Sequence, residues 1–191
     1  ELYLKQRTQL KNKIHGEQAL GIPSKAVFRS LNRSKRTLDK EIKSLETRLL
    51  SLVKEEHQQQ LTNLKSIPGL GDKTAALLIV LTDGFTKFET ASQLCSFAGT
   101  TPTIRQSGSS VRGKSRISKM GNQKLRNLLF LCAFSASKYN TACRKIYERI
   151  IAKGKSKKLA LIAVINKLIK QAFAIAKSGL PYDPNYATKL N

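Results

Sequence analysis

The sequence predicts an all-α protein, in which a long N-terminal helical or coiled-coil arm precedes a compact helical domain. Leucines recur every seven residues between residues 31 and 52, which is the spacing of a coiled coil. Apolar residues recur at helical spacing through most of the remaining chain. Residues 104–122, called the basic loop below, follow neither helical nor strand periodicity. We predict an arm over residues 1–64, a helical domain over residues 65–180 and a flexible tail over residues 181–191.

The arm begins with a predicted helix over residues 1–20. Gly21 and Pro23 end it, because proline cannot continue the helical hydrogen bonding. The second helix carries apolar residues at both seam positions of a heptad pattern: Leu31, Leu38, Ile42, Leu45, Leu49 and Leu52. Such a seam, over about three heptads, is typical of a coiled coil within one chain or between chains. A single long helix packed against its own chain is the alternative, and the pattern alone does not decide.

A Gly-x-Gly turn separates the end of this helix, near Lys65, from an apolar helix that resumes at Ala75. The arrangement resembles a helix-hairpin-helix motif. Its glycines expose backbone amides beside a helix N-terminus, and together these bind a phosphate. An ordinary tight turn between two helices is the alternative interpretation. The nucleic-acid-binding residues predicted in this motif are Lys65, Gly69, Gly71, Lys73 and Thr74.

Three further helices are predicted after a turn at residues 83–88. They cover residues 91–98, residues 123–152 with an irregularity at Tyr139-Asn140-Thr141, and residues 159–177. The basic loop lies between the first two, and loops are where binding and catalytic residues concentrate. A second basic turn, residues 154–158, precedes the last helix.

The charge of the chain limits its partners. The sequence has 35 Lys and Arg residues against 12 Asp and Glu residues, a formal net charge of +23. It contains no acidic residue from Thr90 to Tyr147. Such a surface needs a polyanion to neutralise it, which favours nucleic acid over a metabolite. A membrane surface is the competing polyanion, but no stretch approaches the ~20 uncharged apolar residues of a membrane-spanning helix.

Several kinds of catalytic site are disfavoured. After Glu89 only Glu148 and Asp183 are acidic, so the carboxylates of a two-metal site are not expected in the basic half. The histidines, His15 and His57, both lie in the arm, which disfavours a histidine general base beside the basic loop. The three cysteines lack the spacing of a zinc site or a disulfide framework and are predicted to be reduced, mostly buried thiols of a cytoplasmic protein.

A hydroxyl nucleophile inside the basic loop is the chemistry that remains. A serine that attacks a DNA phosphodiester needs cationic groups to stabilise the phosphorane, and the loop is rich in Arg and Lys. A serine that serves only as a turn residue in a Gly-rich segment is the alternative. The residues alone do not choose among the candidates Ser107, Ser109, Ser110, Ser115 and Ser118.

Four short motifs follow one another along the chain. They are Ser66-Ile67-Pro68-Gly69-Leu70-Gly71, Phe88-x-Thr90-Ala91-Ser92-Gln93-Leu94-x-x-Phe97-Ala98-Gly99-x-x-Pro102, Arg105-Gln106-Ser107-Gly108-x-x-x-Arg112-Gly113 and Ile117-Ser118-Lys119-x-Gly121-Asn122-x-x-Leu125-Arg126. In this order they resemble the C-terminal transposase domain of the IS-one-ten family of insertion-sequence transposases, also described as bridge-RNA-guided, serine-dependent DEDD recombinases. The resemblance covers about residues 62–155, and the arm resembles the coiled-coil connector found before that domain.

The resemblance implies a mechanism. In the family, an N-terminal RuvC-like domain with a metal-binding acidic tetrad works with a domain whose serine forms a phosphoserine link to DNA during strand exchange. That serine corresponds to Ser107. The resemblance implies Mg²⁺ in the RuvC-like domain, and neither a metal site nor a cofactor in this chain. The further nucleic-acid contacts expected in and after the basic loop are Arg105, Gly108, Arg112, Lys114, Arg116, Lys119, Asn122 and Arg126.

The implied partners are DNA, a guide RNA and further copies of the chain, as dimers or tetramers through the helical arm, in the prokaryotic cytoplasm at the nucleoid. Because the sequence begins without Met and lacks the RuvC-like domain, we expect a fragment that binds nucleic acid but is inactive in recombination alone. A non-enzymatic helix-hairpin-helix DNA-binding module is the alternative function. A helical oligomerisation fragment whose charge follows its partner RNA is a third interpretation. We also expect the basic loop to be poorly ordered without nucleic acid.

Overall fold

The computed structural model describes residues 2–21, 24–103, 106–107, 111–112, 116–118 and 120–185. Within these residues it contains seven helices and four strands of two residues each, which confirms the all-α prediction. The chain divides into two compact units, Glu1–Leu52 and Val53–Asn191. This division falls within the second helix, and the predicted boundaries after residues 64 and 180 remain predictions.

The first unit contains helix α1 (Leu2–Ala19) and the first part of helix α2 (Lys25–Lys65). A salt bridge joins the two helices, with Arg7 Nη1 3.6 Å from Asp39 Oδ1. The predicted heptad seam lies on α2, and its residue Ile42 is buried. The unit is therefore a pair of contacting helices rather than an isolated rod.

The C-terminal half of the seam is open to solvent. Leu45, Leu49 and Leu52 are 50%, 39% and 48% exposed, whereas Leu31 and Leu38 are half-buried. Exposed leucines at heptad spacing are not explained by packing within this unit.

The second unit is a bundle of helices around one central helix. The last helix, α7, packs against α4, α5 and α6. Its buried side chains recur at helical spacing, and Val164, Ile165, Leu168 and Ile169 are completely buried. The helices of this unit after α2 are α3 (Asp72–Thr82), α4 (Ala91–Phe97), α5 (Gln123–Tyr139), α6 (Thr141–Ala152) and α7 (Lys157–Ser178).

Helix α7 also has the length and apolar composition of a membrane span, the one such helix in the described part of the chain. Two lysines, Lys167 and Lys170, interrupt its apolar run. Its residues from Ala160 to Ile175 supply the buried face of the bundle. Packing inside a protein core accounts for the composition.

The predicted irregularity at Tyr139-Asn140-Thr141 is confirmed as the break between α5 and α6. Asn140 has an extended backbone (φ −100°, ψ 112°), and its Oδ1 accepts a hydrogen bond from the Cys143 amide at 3.2 Å. It is fully buried, and its Nδ2 donates to Gln171 Oε1 of α7 at 3.0 Å. One residue therefore ends one helix, caps the next and ties both to the central helix.

The predicted tail, residues 181–191, is described as far as residue 185. There Tyr182 donates from its backbone amide to Ser66 Oγ at 2.7 Å and from its hydroxyl to Asn140 Oδ1 at 3.2 Å. The first residues of the predicted tail thus contact both the end of α2 and the helical core.

Candidate nucleic-acid interface

The turn between α2 and α3 contains two glycines, one in close contact with a neighbouring helix and one facing open space. Gly69 has φ +99°, and a Cβ built there would lie 2.7 Å from the Cβ and from the backbone nitrogen of Ala136 in α5. A Cβ built at Gly71 would meet nothing within 4 Å. Gly69 therefore lets the turn approach α5, and Gly71 leaves the start of α3 open.

The predicted cations beside this turn have partners of their own. Lys65 Nζ lies 2.8 Å from Asp72 Oδ1, and Asp72 occupies the first turn of α3, where a carboxylate is favoured by the helix dipole. Thr74 is buried, with Oγ1 3.3 Å from Cys132 Sγ. Lys73 is exposed. The end of α3 that would receive a phosphate thus already carries a carboxylate, and the helix-hairpin-helix assignment remains a prediction.

The described parts of the basic loop, together with the two residues before it, form two short antiparallel ladders. Strand β1 (Pro102–Thr103) pairs with β4 (Arg116–Ile117), and β2 (Gln106–Ser107) pairs with β3 (Val111–Arg112). Ladders of two residues are too short for sequence periodicity to reveal. In the second ladder the Ser107 backbone pairs with Val111, which places it next to the connection between the strands.

Several predicted site residues lie outside the described part of the chain. Of Ser107 and Arg112 only the backbone is described, while Arg116 is exposed in β4. We expect the basic loop to be poorly ordered without nucleic acid. Most of the residues to which this expectation applies lie outside the described part of the chain, so it stays a prediction. The predicted site residues outside the described part of the chain are Arg105, Gly108, Lys114 and Lys119, and the serine candidates there are Ser109, Ser110 and Ser115.

The two ends of the basic loop are fastened together at a stem, defined here as residues 97–103, 116–118 and 120–122. The Ser118 amide donates to the Thr101 carbonyl at 2.9 Å, and the Thr103 hydroxyl donates to the Arg116 carbonyl at 2.9 Å. The stem therefore returns the chain from the basic loop to the place where it left α4.

Gly121 closes the stem by direct backbone contact. Its φ is +142°, and a Cβ built there would overlap the Phe97 carbonyl oxygen. The next amide, of Asn122, donates to that same carbonyl at 2.8 Å. Only glycine combines this conformation with this approach.

Two predicted phosphate contacts, Asn122 and Arg126, bind the protein's own backbone. Asn122 caps α5, accepting from the Leu125 amide at 2.9 Å. Arg126 is half-buried, and its Nη1 donates to the Ala98 carbonyl at 2.9 Å. Because a guanidinium has five N–H donors, Arg126 fixes the stem and keeps donors for a further acceptor.

Sequence reasoning missed the pair that joins the stem to the core. Thr100 is fully buried, and its hydroxyl donates to Asn166 Oδ1 of α7 at 2.6 Å. In return, Asn166 Nδ2 lies 3.4 Å from the Thr100 carbonyl. The sequence signal that could have revealed this pair is Asn166, a polar residue within the apolar helix α7. A polar side chain in a protein core requires a hydrogen-bond partner.

Helix α4, which leads into the stem, begins with a reciprocal cap. The Gln93 amide donates to Thr90 Oγ1 at 3.3 Å, and the Thr90 amide donates to Gln93 Oε1 at 3.3 Å. The rings of Phe88 and Phe97 pack with centroids 5.2 Å apart. The second sequence motif thus has a structural explanation, because it builds the support from which the basic loop projects.

The cysteines are free thiols, and Cys95 and Cys143 are buried. Burial raises the pKa of Cys143 to about 12, against a smaller opposing effect of Lys167. Burial also raises the pKa of Cys95, although Lys170 and the Thr100 hydrogen bond oppose it. Thiols that stay protonated at neutral pH are poor nucleophiles. Among the described residues, no group of three or more His, Cys, Asp or Glu side chains could hold a metal ion.

Comparison with known proteins finds relatives that are named after an insertion element or after the inversion of a pilin gene. An insertion element IS110 43.6 kDa protein of Streptomyces coelicolor is 38% identical over 120 residues, which cover 63% of this chain and 29% of that protein. The pilin gene-inverting protein of Moraxella lacunata is 39% identical over 123 residues, and that of Moraxella bovis is 37% identical over 122 residues. Each of these two alignments covers 63% of this chain and 38% of the relative, so the chain matches well under half the length of each relative.

The family model described as transposase IS116/IS110/IS902 matches residues 61–148. This range includes the end of α2, the capped helix α4, the whole basic loop with its stem, and helix α5. The segment with the candidate interface is thus the segment whose sequence matches the IS116/IS110/IS902 family of transposases, and one of the relatives carries the same family name, IS110.

Proposed function

We propose that this chain is the DNA-binding, serine-carrying part of a transposase that moves an insertion sequence through a phosphoserine intermediate at Ser107. The observation that carries the proposal is the family match, whose range spans the basic loop and both sides of its stem. The stem contacts of Gly121, Arg126 and Thr100 support it, because a nucleophile needs a rigid base from which to be presented.

The proposed step is a transesterification. Ser107 Oγ forms a bond to a DNA phosphorus, the bond from that phosphorus to the leaving sugar oxygen breaks, and the serine proton is transferred so that the leaving oxygen becomes a hydroxyl. A sugar hydroxyl of the exchanged strand then attacks the phosphoserine and restores the serine. One phosphoester replaces another at each step, so no energy source is required, and the cations of the basic loop stabilise the charge on phosphorus.

The remaining parts of the proposal concern the whole protein. We assign Mg²⁺ chemistry to a separate RuvC-like domain with an acidic tetrad, since the carboxylates after Glu89 are Glu148 and Asp183 alone. A guide RNA and further copies of the chain are the other proposed partners, in the cytoplasm with chromosomal DNA. We expect the residues of this chain alone to bind DNA without completing recombination.

An adduct experiment on the whole transposase tests the proposal. The protein with its acidic domain, guide RNA and nicked target DNA is incubated, denatured in SDS and examined for a protein–DNA adduct. We expect an adduct with wild type and with the matched control Ser92→Ala, a change at an exposed position on α4. We expect none with Ser107→Ala.

The other outcomes distinguish the alternatives. An adduct that survives Ser107→Ala would move the nucleophile to another hydroxyl of the basic loop. One of the substitutions Ser109→Ala, Ser110→Ala, Ser115→Ala and Ser118→Ala would then remove the adduct. No adduct in any protein, together with tight and salt-sensitive DNA binding, would favour the non-enzymatic DNA-binding module. Binding to RNA without binding to DNA would favour the oligomerisation fragment.

A further inference from the structure

A second basic surface runs along helix α6 and the turn that follows it. Lys145, Arg149 and Lys153 recur every fourth residue, and all three are exposed, on the side of α6 away from buried Cys143. The turn and the first residues of α7 add three more exposed cations. This surface, called the α6 ridge, consists of Lys145, Arg149, Lys153, Lys155, Lys157 and Lys158.

The α6 ridge has little negative charge near it in the chain. Helices α6 and α7 contain one acidic residue, Glu148. The salt bridges found between described residues, Arg7–Asp39, Lys35–Asp39 and Lys65–Asp72, do not involve the ridge. Its cations therefore face solvent without an anionic partner among the described residues.

The placement of these cations opposes the stability of the fold. Like charges four residues apart on a helix repel one another, as in the pairs Lys145–Arg149 and Arg149–Lys153. Lys157 and Lys158 occupy the first turn of α7, the end at which the helix dipole disfavours cations. The helix dipole favours Arg149 and Lys153 at the C-terminal end of α6. It does not account for the like-charge pairs or for the cations in the first turn of α7, and an anionic partner would relieve both kinds of repulsion.

The shape and composition of the ridge favour one kind of polyanion. Cations four residues apart lie ~6 Å apart along a straight helix, so three of them span ~12 Å. Proteins that bind single strands stack bases on exposed aromatic rings, but the aromatic residue of α6, Tyr147, is half-buried. A helix lying on a membrane needs a face of exposed large apolar residues. Helix α6 has none, and a single one, Leu159, lies beside the ridge at the start of α7. A rigid row of cations without such an apolar face and without an exposed aromatic ring on α6 fits the backbone of a duplex.

We propose that the α6 ridge binds the phosphate backbone of double-stranded DNA without reading its sequence, as a contact separate from the basic loop. The inference rests on the proposed function, in which DNA is the substrate, and it adds a second place at which the duplex is held. Phosphate contacts of this kind fix the position of the DNA relative to the protein.

Salt-dependent DNA binding of the chain tests the inference. Affinity for a fluorescent duplex of arbitrary sequence is measured by anisotropy over a range of KCl concentrations. The variant Lys145→Gln/Arg149→Gln/Lys153→Gln is compared with wild type and with Lys40→Gln/Lys43→Gln/Arg48→Gln, which removes the same charge from exposed positions of α2. We expect the slope of log K against log salt to fall by about 1 for each engaged cation, hence by about 3 for the ridge variant, and by less than about 1 for the control.

A second variant, Lys155→Gln/Lys157→Gln/Lys158→Gln, should lower the slope in the same way, and circular dichroism should give the wild-type helix content for all three variants. If wild type shows a steep salt slope and the ridge variants lower it no more than the α2 control does, the inference is overturned. The proposed function would stand, because DNA would still bind elsewhere on the chain. A wild-type chain with no salt-dependent DNA binding would overturn both. A larger loss of affinity for single-stranded RNA or for anionic phospholipid vesicles than for duplex DNA would overturn the choice of partner.

Discussion

Gly69 and Gly71 stand two residues apart in the same turn and differ in what a side chain would meet. At Gly69 a methyl group would collide with Ala136, and the backbone has φ +99°. At Gly71 the space is open and the backbone is extended, with φ −85° and ψ 166°. The same sequence pattern thus holds one glycine required for packing and one that is not, and this difference can be measured.

We predict that Gly69→Ala lowers the free energy of unfolding by about 2–4 kcal/mol, the sum of left-handed strain and overpacking. The matched change Gly71→Ala should lower it by about 1 kcal/mol or less, because alanine is a weaker N-cap than glycine for α3. Urea unfolding followed by circular dichroism measures both. Equal effects of the two substitutions would contradict the packing role assigned to Gly69.

A second prediction at this scale concerns Cys143, whose pKa burial raises to about 12 from an ordinary value of 9.0. The folded state then holds the thiol proton more tightly than the unfolded chain does. The resulting stability is fully present below pH 9 and is lost as the pH rises from 9 to 12. We predict that the unfolding free energy of wild type, relative to Cys143→Ala, falls by up to about 1.4 kcal/mol per pH unit in that window.

Urea unfolding of both proteins between about pH 7 and pH 12 gives this difference. Because Cys143 also contributes to the raised pKa of Tyr182, the difference between the two proteins measures the thiol together with its coupling to that tyrosine. A difference that stays constant across this range would mean that the Cys143 side chain is not held away from water.

At the scale of the element, the helices could be predicted because their apolar residues repeat over many turns. The prediction located the end of α2 near Lys65 and the break between α5 and α6, since Asn140 is a cap residue with sequence signals on both sides. The strands of the basic loop could not be predicted, because each ladder contains only two residue pairs. A periodic signal needs a longer stretch.

The stem illustrates a different limit of sequence reasoning. Thr100 and Asn166 are 66 residues apart in the chain, and no local pattern pairs them. Arg126 was assigned to phosphate from its charge, but the Ala98 carbonyl that its Nη1 contacts is supplied by a turn 28 residues earlier. Charge and spacing identified the segment that carries the candidate site, whereas the hydrogen bonds that support it depend on the tertiary fold.

At the scale of the whole molecule, the stretch with the most one-sided charge and the exposed heptad leucines lie in different parts of the chain. Glu148 is the one acidic residue in a run of basic and neutral residues from Thr90 to Tyr182. The exposed heptad leucines, by contrast, lie in the first unit. This separation fits a chain that uses one part to meet DNA and another to meet a second copy of itself, as proposed for the arm.

The final prediction follows from the exposed leucines of that arm. We predict that the chain sediments as a dimer or tetramer and that Leu45→Ser/Leu49→Ser shifts it toward the 21.2 kDa monomer, because heptad leucines open to solvent gain burial when helices pair. The control Thr37→Ala/Thr47→Ala changes exposed α2 positions outside the seam and should leave the mass unchanged. Analytical ultracentrifugation over a range of concentrations measures the shift, since oligomer stability depends on protomer concentration. A monomeric wild-type chain, or a leucine variant with unchanged mass, would contradict the prediction that copies of the chain pair through these leucines.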